Sequence, residues 1–482
     1  MSETISAIDS YPRLTQGAYL LVYDDHGFVK SKLNDISFRV SPKTIELLKV
    51  CGGQHSIKKI IEMAVDTTVA EDDANLLLAI LEINQLIRNR VLVLETKKGI
   101  YEVPLISSQG VYYPEAMHVE LTTLCNLHCH FCYRSAGRNN IETRLPTSQL
   151  LDILSCLSKK GLRVVELTGG EPLLHSDLNK ILDFCGNTFQ QISILTNGTL
   201  INQDLVNSAL PIKDKIAFNI SLESHRVEEH DKRTGVHGSF SRTLDGIRQL
   251  SKYNFLVRVA MAVDGNNWED VEPTLLLARQ LGAKAFTYSA ILPFGRASGR
   301  LEFLDLDASL VVEKEKYLLN KYKDFFHILN ESQQQRMKQP GGCGAGHRTY
   351  AMDPAGNIRP CVTFDDQLGV IGSLANQTPE AVFSNETTEF FSKIKTPNQK
   401  TCGSCKFLYF CQNCVLRALT ASRTLAPNEC NWLKQPSVQK LVELIYPGEK
   451  EGKEIKGRPL KGVSTEKTPH HGNCKAPFSG AH

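Results

Sequence analysis

Three cysteines, Cys125, Cys129 and Cys132, stand close together with Phe131 and Tyr133 beside the last two. Thiolates at this spacing can hold three irons of a four-iron cluster and leave the fourth iron open. A tetrahedral zinc site would need a fourth ligand, which this stretch does not supply. A second group is formed by Cys343, Cys361, Cys402, Cys405, Cys411, Cys414 and Cys430, so the two groups take ten of the 14 cysteines. A zinc ribbon made of Cys402, Cys405, Cys411 and Cys414 would have five residues between its pairs, against about 15 to 20 in such ribbons. In a reducing compartment, metal binding or catalysis is a better use for so many thiols than disulfides. Of the remaining four, Cys156 and Cys185 fall in helical patterns where packing is the expected role, as it is for Cys51. Cys474 lies in a polar tail, exposed to oxidation.

Elements must hold these residues in place, and 482 residues allow about three domains. Lys plus Arg number 55 against 52 Asp plus Glu, a formal charge of +3, which gives no support to non-specific nucleic-acid binding. Residues 1–16 lack the basic and apolar parts of a signal peptide, and no run of about 18 apolar residues occurs. A soluble, cytoplasmic protein is expected, with no nucleic-acid or membrane partner.

From Met117, apolar runs near 117–122, 163–168, 191–196, 215–221, 256–263 and 285–290 alternate with helix-like segments. That rhythm predicts parallel βα units. The fold class is therefore α/β: a partial (βα)6 barrel of TIM type over residues 115–300, with chemistry at the C-terminal strand ends. Cys125, Cys129 and Cys132 fall in the loop after the first strand. Gly169, Gly170, Glu171 and Pro172 follow the second, Thr196-Asn197-Gly198 the third, Ser221-Leu222-Glu223-Ser224 the fourth, and Pro293-Phe294-Gly295-Arg296-Ala297 the sixth.

Residues 10–96 read as a separate winged helix-turn-helix. Strands are expected at 18–23, 27–31, 36–40 and 90–95, and helices from Pro42, Ser56 and Glu71, with Ser41 and Ser56 as N-caps. Residues 301–340 read as a helical bridge and 341–435 as a cysteine-rich domain in which metal substitutes for a core. The composition of 447–482 predicts disorder.

The three-cysteine loop, followed one βα unit later by Gly169-Gly170-Glu171-Pro172, resembles the radical S-adenosylmethionine enzymes. The resemblance implies a 4Fe-4S cluster on Cys125, Cys129 and Cys132, the catalytic centre, whose open iron is chelated by the methionine moiety of S-adenosyl-L-methionine. It makes Gly169 to Pro172 the holders of the cofactor's amino group, with Tyr133, Ser221 and Glu223 as further contacts. The family more often has Asp where Glu223 stands.

Gly356-x4-Cys361 and Cys402-x2-Cys405-x5-Cys411 resemble the SPASM extension of peptide-modifying members. By that resemblance Cys343, Cys361 and Cys414 hold a first auxiliary 4Fe-4S cluster, and Cys402, Cys405, Cys411 and Cys430 a second, making three clusters in all. The spacing Cys411-x2-Cys414 is one residue shorter than usual. The first auxiliary cluster lacks a fourth thiolate, and by that resemblance its open iron could take substrate, a water or a nearby side chain such as His347. Sulfatase-maturing relatives carry an Asp where this chain has Val362, which argues against formylglycine formation; Asp365 and Asp366 are the nearest acids.

The first domain resembles a precursor-peptide recognition element, which binds a leader by strand addition. Its basic residues, Lys58, Lys59, Arg88 and Arg90, are offset by Glu62, Asp66, Glu71, Asp72, Asp73 and Glu82, which disfavours DNA as the ligand. The implied function is a maturase that takes hydrogen from a ribosomally made peptide and closes a thioether or carbon-carbon crosslink, fed electrons by a flavodoxin or ferredoxin. Two alternatives are modification of a porphyrin-type small molecule and a non-catalytic iron-sulfur carrier or peptide scaffold.

Overall fold

The computed structural model describes residues 7–22, 27–31, 36–65, 73–107, 110–137, 142–292, 294–297, 308–325, 344–364, 369–403, 405, 407–411, 414–422 and 430–445. The chain divides into two compact units, Met1–Tyr112 and Tyr113–His482.

In the first unit, β1 (Tyr11–Leu14) pairs antiparallel with β5 (Leu92–Glu95). Strands β2 (Ala18–Val22), β3 (Gly27–Ser31) and β4 (Ile36–Val40) form an antiparallel meander, and β6 (Leu105–Ser107) joins β2 in parallel. Three helices follow β4: α1 (Pro42–Lys49), α2 (Ile57–Val65) and α3 (Asp73–Arg88). Both expected caps form: Ser41 Oγ accepts the Thr44 N–H and Ser56 Oγ the Lys59 N–H, each at 3.3 Å. The Ser41 N–H and hydroxyl also donate to Glu82 of α3, at 2.8 and 2.9 Å, tying the start of one helix to the side of another. Leu20, Val29, Leu48 and Val91 are fully buried between sheet and helices. Each such side chain contributes about 1.5 to 3 kcal/mol.

The second unit contains the six expected strands: β7 (Ala116–Glu120), β8 (Val164–Thr168), β9 (Gln191–Thr196), β10 (Ile216–Ser221), β11 (Leu256–Val263) and β12 (Ala285–Ala290). They are parallel neighbours in sequence order. Between them run α4 (Thr147–Lys160), α5 (Leu178–Thr188), α6 (Gln203–Ala209), α7 (Val227–Thr234), α8 (Ser239–Lys252) and α9 (Val271–Gln280). Alternate strand residues Met117, Val119, Val165, Leu167, Ile192 and Ile194 are fully buried. On the opposite face of β7 and β8, His118 and Glu166 stand 2.9 Å apart, so that face is polar.

The sheet does not stop at β7. Strand β13 (Thr349–Met352) adds to it in parallel, and β14 (Asn357–Arg359) and β15 (Gly372–Ser373) continue it antiparallel, giving nine strands. The segment carrying Gly356 and Cys361 is thus an extension of the barrel sheet. Helix α10 (Ala308–Lys321) occupies part of the expected helical bridge. Cys343, Pro293, Asp365, Asp366, Cys474 and all of 447–482 lie outside the described residues. Cys51 and Cys185 are buried, which pushes both thiols up to about 12. Cys156 is half-buried on α4. Among the described residues no helix is long and apolar enough to cross a membrane.

Candidate active site

The three-cysteine loop leaves the C-terminal end of β7 and is gripped from four sides. From β8, the Gly170 N–H donates to Thr122 O and the Glu171 N–H to Leu124 O, both at 2.8 Å. From α7, the carbonyls of Thr234 and Arg233 accept the N–H groups of His128 and His130 at 2.9 and 3.2 Å. From β9, the Asn197 amide donates to Asn126 Oδ1 at 2.8 Å. From the segment after β12, Arg296 Nε donates to Cys129 O and Nη1 to Ala136 O, each at 2.7 Å, while its own N–H donates to Cys132 O at 3.0 Å. The loop's backbone is fixed by groups other than its thiols.

The two glycines of Gly169-Gly170-Glu171-Pro172 are required by this grip. A Cβ on Gly170 would lie 2.0 Å from Leu124 O, and one on Gly169, whose φ is +124°, 2.6 Å from Thr122 O. The close approach that glycine permits here is to the cysteine loop itself. Glu171 is 1% exposed and both its oxygens are engaged: Oε1 accepts from Leu173 N–H and the Thr196 hydroxyl, Oε2 from Asn197 N–H. It fastens the end of β8 to that of β9. Burial pushes its carboxyl up to about 7 in spite of these hydrogen bonds. Pro172 is buried at the start of a single tight turn.

Glu223, two residues beyond β10, is 3% exposed and accepts the Ala262 N–H at 2.8 Å. Burial raises it too to about 7, against the pull of Arg233. Ser221 is half-buried at the end of the same strand. Arg233, under the loop, donates to both Asp264 oxygens at 3.2 and 3.4 Å and lies over the Phe131 ring at 5.3 Å.

The three thiols feel one another. Cys125 is pushed up to about 11 by burial first and then by Glu171 and Cys132, against the Leu127 N–H; burial lifts Cys129 well above the usual thiol value, followed by Glu223, Cys132 and Cys125. Arg296 opposes the rise at both. Tyr133, half-buried, has its phenol raised by burial and then by Glu120. Among the described residues, no three Cys, His, Asp or Glu converge as the ligands of a single metal ion do. Thiolates on one zinc would lie about 3.8 Å apart, given Zn–S bonds of about 2.3 Å, whereas each thiolate of a four-iron cluster takes a different iron. Half-buried thiols at Cys125 and Cys129 that disfavour their own ionisation, beside an enclosed backbone, fit a group that brings its own positive iron.

The later cysteines are near enough to act on one another, with Cys414 felt by both Cys361 and Cys411. Cys361, just past β14, has its thiol raised by burial and then by Cys414, with Arg359 opposing. Cys411 is raised by burial, then by Cys405, Cys430, Cys402 and Cys414 in falling order, and Cys402 by burial, then Cys430 and Cys405. His347 is 3% exposed, its Nδ1 3.3 Å from Ala345 O; the Gly346 N–H donates to Pro360 O at 2.9 Å, so His347 and Cys361 sit on adjoining segments.

Residues 119–278 match the family model of the Radical SAM superfamily. This chain carries a radical SAM domain. Such a domain uses S-adenosylmethionine with a 4Fe-4S cluster, and the cysteine loop and the strand ends that grip it lie in or beside it. The chain is 29% identical over 369 residues to the antilisterial bacteriocin subtilosin biosynthesis protein AlbA of Bacillus subtilis, covering 75% of this chain and 81% of that protein. It is 27% identical over 334 residues to an AdoMet-dependent heme synthase of Methanosarcina barkeri, covering 64% of this chain and 93% of the relative. In fold it is similar to Streptococcus suis SuiB bound to the precursor peptide SuiA, with TM-score 0.54 at 15% identity, over 89% of this chain and all of that one. The radical SAM fold, with its mostly parallel central sheet, is therefore common to both.

Arg296, Asn126, Asn197 and Arg233 were not among the residues the sequence singled out as ligands. Arg296 and Asn197 left a signal, within the runs after the sixth and third strands, whereas Asn126 and Arg233 left none.

Proposed function

We propose that this protein is a radical SAM maturase of a ribosomally made precursor peptide. The observation that carries the proposal is the three-cysteine loop held open at the C-terminal strand ends, in a chain whose similar proteins include AlbA and, in fold, SuiB. In this reading Cys125, Cys129 and Cys132 hold the first cluster, and the carbonyls and N–H groups around Gly169 and Gly170, with Ser221, Glu223 and Tyr133, surround the cofactor. When bound, cluster and S-adenosylmethionine supply a carbon radical able to take hydrogen from an unactivated C–H bond. The chain's own part is to bind, orient and exclude water. Glu171, with both oxygens accepting from Leu173, Thr196 and Asn197, would keep the strand ends in place around the cofactor, and Glu223 would line the same side.

Cys343, Cys361 and Cys414 would hold one auxiliary cluster and Cys402, Cys405, Cys411 and Cys430 another, to accept the surplus electron or a substrate thiolate. The first unit would bind the leader as a winged recognition domain; strand β4 is an edge of its sheet among the described residues, suited to strand addition. A flavodoxin or ferredoxin would donate the electron.

The product would be a thioether or carbon-carbon crosslink. Either closure removes two hydrogens from the peptide, one of them taken by the cofactor radical. Anaerobic co-expression with a short peptide encoded beside the gene, followed by mass spectrometry and thiol alkylation, tests this. Loss of two hydrogens together with a cysteine no longer alkylated indicates C–S closure; loss with the cysteine still reactive indicates C–C closure; an unmodified peptide with an altered porphyrin would favour the reading supported by the heme synthase relative.

A further inference from the structure

Buried charge links the three-cysteine loop to Cys361. Glu120, the last residue of β7, has a fully buried side chain. One of its oxygens lies 2.6 Å from Arg359 Nη2, whose side chain is equally buried; the other lies 3.0 Å from Arg134 Nη2. Arg134 stands two residues after Cys132 and Arg359 two before Cys361. Arg359 Nη1 also donates to the carbonyls of Phe364 and Val362, fixing the turn that carries Cys361. Two buried ion pairs on one carboxylate thus join Arg134, two residues after Cys132, to Arg359, two residues before Cys361.

Such a triad adds little net stability, because desolvation cancels most of the attraction, yet removing one member leaves buried charge uncompensated. In a poorly polarisable interior that imbalance acts over several ångströms. Reduction of an iron-sulfur cluster adds negative charge, so fixed charge nearby sets its potential. We propose that Glu120 is a positioning residue that couples the three-cysteine cluster to the auxiliary cluster on Cys361 and, through its paired arginines, sets the reduction potential of both. The inference rests on the reading that both thiol groups hold clusters.

The test is a redox titration of the reconstituted full chain, followed by electron paramagnetic resonance, with iron counted in each variant. Glu120→Gln keeps the shape and removes one negative charge. Reduction at both clusters should become about tenfold more favourable, about 59 mV for a one-electron couple, while the cluster on Cys402, Cys405, Cys411 and Cys430 stays unmoved. Arg134→Gln should shift the same two in the opposite direction, and Arg134→Lys should restore them. A packing defect would not reverse sign with charge. Glu115→Gln, at the other end of β7 and 3.3 Å from Arg163, should shift nothing. If Glu120→Gln does not fold, Arg134→Gln and its Lys counterpart decide. Unshifted potentials, shifts of one sign, or equal movement of the distant cluster would overturn the coupling alone. Iron missing from the Cys361 side of the wild type would overturn it together with the auxiliary-cluster reading.

Discussion

The first cysteine loop and the last cysteine segment are held by different means. Around Cys125, Cys129 and Cys132 the backbone is pinned by β8, β9, α7 and Arg296, so the fold shapes the loop before any metal arrives. Cys402 and Cys411 end helices of four residues each, Gln399–Cys402 and Leu408–Cys411, too short to persist unaided. The buried apolar side chains there include Phe410, Leu416, Leu419, Trp432, Val438 and Leu441, and the indole of Trp432 donates to Lys395 O at 2.7 Å. On the proposed reading, metal would be a passenger in the first site and a structural member in the second.

Removing iron should break that comparison open most widely. Chelation under anaerobic conditions is expected to expose amides of residues 395–445 to rapid hydrogen exchange while β7 to β12 keep their protection. Equal loss of protection in both regions would make the barrel as metal-dependent as the C-terminal segment.

Next comes Gly170→Ala, which places a methyl group 2.0 Å from Leu124 O. It should cost about 1 to 3 kcal/mol in thermal or denaturant unfolding and release iron from the first loop while later thiols keep theirs. A smaller effect is expected from Arg296→Gln, which removes two hydrogen bonds to loop carbonyls. Iron affinity at the first loop should fall about 10- to 100-fold, with Arg296→Lys intermediate, since lysine cannot reach Cys129 O and Ala136 O with a planar fork.

The remaining effect concerns pH. Glu223 is raised from 4.5 to about 7 in the folded chain, so between those values the folded state binds the proton that the unfolded state has lost. Stability is therefore highest below about 4.5 with respect to this group and falls as pH rises towards 7. The loss is at most about 3 kcal/mol. Glu223→Gln, whose amide oxygen can still accept the Ala262 N–H, should flatten that slope in the iron-free protein; an unchanged slope would mean Glu223 ionises near its ordinary value.

Local signals in the sequence were read well where the cause is local. Ser41 and Ser56 cap the helices expected to follow them, and the six apolar runs became β7 to β12 within one or two residues, because period and capping act over a few positions. What the sequence hid is non-local. Nothing near Thr349 says that it will pair with Ala116, and the Glu120 to Arg359 contact spans 239 residues. The glycines before Glu171 were legible as a site of close approach. That their partner is the backbone of Thr122 and Leu124 required the fold.

The account stands most directly on reductive cleavage of the cofactor. Wild type and a variant with Cys125, Cys129 and Cys132 all replaced by Ala are to be reconstituted anaerobically, reduced with dithionite, and assayed for 5'-deoxyadenosine alongside their iron content. The account predicts that the wild type releases 5'-deoxyadenosine and that the variant releases none while keeping the iron of the later cysteines. Release at the wild-type rate from the variant would contradict it.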